Sequence, residues 1–144
     1  MTSEAALSKA TVCLINRERA RRGTRGLRTN RRLTRAAASH TRDMIQKRYF
    51  EHVSQTGRDV VDRLLSSGYL GRVRKWVVGE NLAWGIGTRS TPREILASWM
   101  SSPGHRQNIL NRRFREIGIG VVFSAPTRKA DVAATYTTTF GARK

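Results

Sequence analysis

The sequence predicts an α+β domain in which helices are layered against a small antiparallel sheet. Three observations predict it. Apolar residues recur at three- and four-residue spacing through the first hundred residues, the mark of helices with one buried face. Two β-rich runs, 117–123 and 132–140, flank the loop Ser124–Asp131 and read as an antiparallel hairpin. A further β-branched and aromatic run, from Trp76 to Trp84, falls between helical stretches. Helices before and between strands, with antiparallel pairing, give the layered class.

Each element has its own local grounds. Ser3-Glu4 caps a first helix, with Leu7, Val12, Leu14 and Ile15 as its apolar face and Gly23 at its end. Asn30 opens a second helix reaching about Arg48, which sets Leu33, Ala36, Ala37, His40, Met44 and Ile45 on one side. Asp59 starts a short third helix, with Val61, Leu64 and Leu65 inward and Gly68 at its end. Thr91-Pro92-Arg93-Glu94 places Thr at the N-cap, Pro at the first helical position and Glu two further on. This fourth helix carries Ile95, Leu96, Trp99 and Met100 and stops at Ser102-Pro103-Gly104; His105–Leu110 reads as a helical turn.

The chain has 144 residues, the size of one domain spanning 1–144 with a core over about 5–141. Apolar residues make up 38%, which suffices when patterned, and no linker, repeat or low-complexity segment interrupts them. Cys13 has no partner for an internal disulfide and is expected as a buried, inert thiol; the other reading is a half-cystine whose partner preceded this sequence. No apolar run approaches a membrane span. The start, MTSEAALSKA, lacks the basic and apolar regions of a signal peptide, leaving a cytoplasmic protein or a trimmed mature form.

The 28 Lys and Arg against 10 acidic residues give a formal charge of +18, which attracts polyanions. The cations are scattered singly and in pairs, as at Arg21-Arg22, Arg31-Arg32 and Arg112-Arg113, without interleaved aromatics. Loose adhesion to an acidic wall polymer or membrane surface is therefore expected, and specific nucleic-acid recognition is not.

The chain has three histidines, His40, His52 and His105. Glu80 lies in the apolar segment Gly79–Trp84, where a carboxylate must be paired or must face a cleft. Imidazole and carboxylate suit zinc: His52, Glu80 and His105 could supply three ligands beside a water, with His40 as a fourth or behind them. The competing reading has these groups bond one another and tie loops to the sheet, and for His40 a packed position is favoured. Asp43 and Glu51 are placed either to orient cleft histidines or, equally, to cap helices or pair with the abundant arginines, and Asn81 and Asn108 to hold loops. Zinc-protease helices and the Gly-x-Ser-x-Gly nucleophile elbow are absent.

The segments CLINRERARRG (13–23), AAASHTRDM (36–44), YFEHVS (49–54), GRDVVDRLLSSGY (57–69), GENLAWG (79–85), SWMSSPGHRQNIL (98–110), FREIGIGVV (114–122) and YTTTFG (136–141) resemble the bacterial branch of the CAP superfamily, the cysteine-rich secretory, antigen 5 and pathogenesis-related (SCP-like) proteins. The resemblance covers nearly the whole chain. It implies a three-layer α–β–α sandwich around a small antiparallel central sheet, with a large cleft. It implies extracellular work, and lipid, sterol or peptide ligands and host or environmental interactions. Eukaryotic members hold divalent cations, notably zinc, on two His and two Glu. By that pattern His52 matches the first histidine and Glu80 the first glutamate, whereas Ser102 and Thr135 stand at the other two positions. His40 and His105 lie in the motifs of the bacterial branch.

Three functions follow as expectations: a secreted, monomeric binding domain whose cleft takes a divalent cation; a peptidase-like hydrolase using a metal-activated water with Glu80; and charge-driven adhesion with a merely structural cleft.

Overall fold

In the computed structural model, which describes residues 2–144, a four-stranded sheet lies between two helical layers. The elements run α1 (Glu4–Arg21), β1 (Arg28–Thr29), α2 (Arg31–Lys47), α3 (Val60–Ser66), β2 (Trp76–Ile86), a 3₁₀ turn (Gly87–Ser90), α4 (Pro92–Met100), α5 (Pro103–Leu110), β3 (Glu116–Val122) and β4 (Ala133–Arg143). Strand order is β1-β3-β4-β2. β3 and β4 form the expected antiparallel hairpin, and β2 pairs antiparallel along the outer side of β4. Only the two-residue β1, which the sequence did not suggest, runs parallel, against β3.

The helix starts obey their local chemistry. Ser3, Asn30, Asp59 and Thr91 each accept a backbone N–H at an N-cap, which satisfies donors the first turn leaves without partners. Asp59 and Asp62 close a reciprocal capping box. Pro103 opens α5 rather than closing α4, so this helix begins two residues before the expected turn at His105.

Because successive strand residues face opposite layers, both faces of β4 are buried. Ile117, Ile119, Tyr136 and Phe140 join Ile15, Trp99 and Ile109 in the larger core, against α1, α4 and α5. The opposite face carries Gly118, Gly120, Thr137 and Thr139, and α2 lies on it. A Cβ at Gly118 or Gly120 would collide with the α2 backbone at 33–34 and 37–38, so these glycines set how closely the helix approaches. Thr41 Oγ1 seals the contact, within 3.1 Å of Ala37 O, Gly120 O and Thr137 Oγ1.

Two expectations of burial fail. Cys13 is exposed. The buried face of α1 carries Thr11, Ile15 and Arg19 at four-residue spacing, and residue 13 stands two positions, roughly 200°, from residue 11. Leu65 is 53% exposed, because α3 turns Arg63 and Leu64 inward instead. Among the described residues no helix is long and apolar enough to cross a membrane.

Candidate functional site

Glu80 is at the middle of β2, opposite Thr139, on the sheet face covered by α2 and α3. Its side chain is 3% exposed and both carboxylate oxygens are engaged. Oε1 lies 2.9 Å from His52 Nδ1. Oε2 accepts from Arg63 Nη2 at 2.7 Å. A charge-assisted contact of that length satisfies a buried carboxylate.

Arg63 is the residue that sequence reasoning missed. Besides Glu80 it donates to the carbonyls of Arg58 and His52, both at 3.1 Å. One guanidinium thus holds the carboxylate, the loop carrying His52 and the approach to α3. A signal was available: in the Asp59-capped helix, residue 63 is three after Val60 and one before Leu64, on the inward side. Among so many arginines that position did not stand out.

His52 projects outward, its side chain 57% exposed. His105 is in the first turn of α5, with Nδ1 3.0 Å from Ser102 Oγ. Burial, and next the neighbouring His52, holds its pKa below the ordinary histidine value, so the ring is neutral at pH 7. A ladder of amides fastens this turn to β2: Asn81 donates to His105 O at 3.1 Å, and Asn108 donates to Asn81 Oδ1 at 2.9 Å. Asn81 and Asn108 hold the loops, as the sequence suggested. Glu80 and Asn81 point to opposite faces of an edge strand, and through them His52 and His105 are tied to the same stretch of that edge.

His40 has another setting. It is 1% exposed on α2, Nε2 is 2.8 Å from Glu51 O, and Nδ1 is buried with no protein partner. Burial, and then the charge of Arg63, keeps its pKa low; the Glu80 charge and the Glu51 carbonyl oppose this more weakly. It borders a cavity of about 420 Å³ between α2, the 54–58 loop and α3, with Arg63 in the far wall. Asp43 is directed to Tyr49 and Lys47, and Glu51 contributes its backbone carbonyl to His40.

The structure therefore joins His52 to Glu80, brings His105 near His52, and leaves His40 behind Arg63. Of the two remaining tetrad positions, Ser102 touches this group through His105 and Thr135 is apart from it. Ser102 bonds His105, and Thr135 is buried, with Oγ1 donating to Ser124 O at 2.7 Å. Thr135 opposes Trp84, four residues along β4 from the partner of Glu80, roughly 13 Å at strand rise. Among the described residues no group of three or more His, Cys, Asp or Glu side chains is placed to hold a metal ion. As folded, the donor set does not fit the zinc expected from the resemblance: a guanidinium occupies one side of Glu80 and an imidazole the other. The Ser102–His105 contact has the length of a nucleophile–base pair, yet no carboxylate orients that ring among the described hydrogen bonds.

A family model, that of the cysteine-rich secretory protein (CAP) family, matches residues 12–140. The uncharacterized protein YkwD of Bacillus subtilis (strain 168) is 38% identical over 85% of this chain and 45% of its own length. Among solved structures, an extracellular protein containing a SCP domain from Bacillus anthracis superposes with a TM-score of 0.76 at 30% identity, over 95% of this chain and 40% of that one. An outer surface protein of Borrelia burgdorferi gives 0.78 at 20% identity, over 94% and 92%, a likeness of fold. The chain spans less than half the length of the curated relatives it matches, 45% and 31%.

Proposed function

The chain belongs to the cysteine-rich secretory protein (CAP) family, and from that membership we propose that it is an extracellular binding domain which takes a polar ligand at the His52–His105 edge without a resident metal. The extracellular setting is supported by the description of the Bacillus anthracis neighbour. The observation that carries the reading is Glu80 bound on both oxygens, by His52 at 2.9 Å and Arg63 at 2.7 Å. A carboxylate so held has a tethered counter-charge and a partner on each oxygen, and is no free base. What it does is fix an exposed imidazole. With Nδ1 committed to Glu80, His52 presents Nε2 outward, beside a neutral His105 whose Nδ1 is likewise committed to Ser102. Two imidazole edges of fixed orientation are a recognition device for a ligand carrying hydroxyl, amide or carboxylate groups.

The test combines zinc and ligand titrations. Saturating zinc leaves the melting temperature unchanged within error in the wild type and in His52→Ala/His105→Ala. A ligand at 100 times its Kd adds roughly 2.7 kcal/mol to stability, so zinc stabilisation of that size, lost in the double variant, would overturn the metal-free reading. Nitrogen-15 spectra of the imidazoles are then followed against short peptides and lysophospholipid micelles. The His52 and His105 resonances shift while the ligand is recovered intact. Turnover abolished by Glu80→Gln would replace binding with hydrolysis.

A further inference from the structure

We propose that the basic groove at one end of the sheet is a docking site for a linear polyanion whose charges are phosphodiesters on a sugar or polyol backbone. The groove holds about 890 Å³ and lies away from the His52–Glu80 pair. Arg25 comes from the approach to β1 and Arg28 from β1 itself, Lys75 from the approach to β2, Arg113 and Arg115 from the approach to β3, and Arg143 from the end of β4. Cations scattered along the chain are thus gathered by the strand order into one surface, which no sequence pattern announces.

These charges are not neutralised within the protein. Glu116 is the one carboxylate side chain lining the groove, and its oxygens accept from Tyr69 Oη at 2.8 Å and Asn30 Nδ2 at 2.9 Å. None of the ion pairs among the described residues involves a cation of this groove. Like charges held together by the fold concentrate counter-ions, and a polymer that displaces those ions binds through their release. Most of the cations are arginines, whose planar fork meets phosphate oxygens two at a time. Arg143 is held in place over the Tyr69 ring, 4.2 Å from its centroid.

Trp76 selects the polymer class. Its ring is 45% exposed at the groove, opposite Arg143 across the β2–β4 pair, and a flat indole face accepts the apolar face of a sugar or polyol. Single-stranded nucleic-acid sites stack successive bases on several aromatics, and this groove has one. Of the exposed large apolar side chains, Val53, Leu65, Phe123 and Val132 lie outside it, so it lacks the apolar set for membrane insertion. Siting the polymer outside the cell rests on the extracellular reading above; the binding of anions by the groove does not.

The test is a titration with poly(glycerol phosphate) read by tryptophan fluorescence at 50 and 200 mM salt. Wild-type affinity drops roughly 10- to 100-fold between these salts, as expected for a few phosphate contacts. Replacing Arg25, Lys75 and Arg113 by Gln together lowers affinity at least tenfold at 50 mM and flattens the salt dependence. Among the described residues these side chains enter no ion pair, so the fold is retained, which circular dichroism verifies. Replacing Arg35, Arg42 and Arg128 by Gln removes the same charge elsewhere and changes affinity less than threefold. Trp76→Phe removes the quench. Equal losses in the two triple variants would overturn the groove in favour of diffuse charge. Tighter binding of single-stranded DNA than of poly(glycerol phosphate) would overturn the polymer class. His52→Ala/His105→Ala binds the polymer as wild type, so failure here and failure of the cleft reading are separate results; a loss in that variant would overturn the independence of the groove.

Discussion

Arg63→Met tests the organisation of the candidate site directly. The arginine and Glu80 side chains are 8% and 3% exposed, and their contact is 2.7 Å. Methionine keeps much of the arginine stem and removes only the fork. Glu80 then keeps a single partner, an imidazole that is mostly in solvent. Breaking a buried pair from one side costs roughly 3–5 kcal/mol, because the remaining charge stays buried. For 144 residues the unfolding entropy is about 0.3 kcal/mol per kelvin, so the melting temperature falls by roughly 10–16 °C. Thermal unfolding at pH 7 measures this. The double variant Arg63→Met/Glu80→Met removes the charge as well and recovers most of the loss, since a buried pair exchanged for apolar groups is near neutral. A drop below about 3 °C, or a double variant as unstable as the single, would refute the account of Glu80 as a carboxylate held by its arginine.

The other predictions are shorter. His40 and His105 are both held below the ordinary value of 6.5, chiefly by burial. The unfolded chain therefore takes up protons first as pH falls below about 6.5, so stability is full above that pH and declines beneath it; His40 contributes up to about 1.4 kcal/mol per pH unit until its folded pKa is reached. Denaturation midpoints between pH 8 and pH 5 read this, and a flat profile would count against two buried neutral rings. Gly120→Ala drives a methyl group into the α2 backbone and costs about 1–3 kcal/mol or more, measured by urea unfolding. Cys13→Ser changes stability by less than about 0.5 kcal/mol, and the native thiol reacts with a disulfide reagent as fast as in urea; slow native reaction would restore the buried position.

The fold was legible because its devices are local. N-caps at Ser3, Asn30, Asp59 and Thr91, and alternation through the final strands, each act within a few residues. The failures at Arg19, Arg63 and Cys13 have one physical source: neither long polar side chains nor a thiol announce their burial. Arg19 is fully buried, its guanidinium donating to the carbonyls of Arg25, Ile109, Asn111 and Phe114. Arg63 is similarly enclosed. Nothing in composition separates these two from solvated arginines, because what buries them is backbone oxygen and a carboxylate brought from distant segments. Of the four candidate site residues, His52 and Glu80 meet as a pair; the register of β2 on β4 and the placement of α5, both tertiary facts, put Thr135 and Ser102 where they are.

The Arg63–Glu80 contact also bears on the tetrad pattern that the resemblance implies. Two imidazoles and two carboxylates converge usefully only with a cation between them, since paired carboxylates repel. In this chain one carboxylate and one imidazole remain from that set, and a second carboxylate is absent at Ser102. The cation beside Glu80 is supplied by the protein, from Arg63 on α3. A covalently tethered guanidinium needs no loading and does not leave when pH falls or a chelator is present. It also anchors the His52 carbonyl, so it positions the loop as well as neutralising the charge. Arg63 thus gives Glu80 a fixed counter-charge and positions the His52 loop with the same guanidinium.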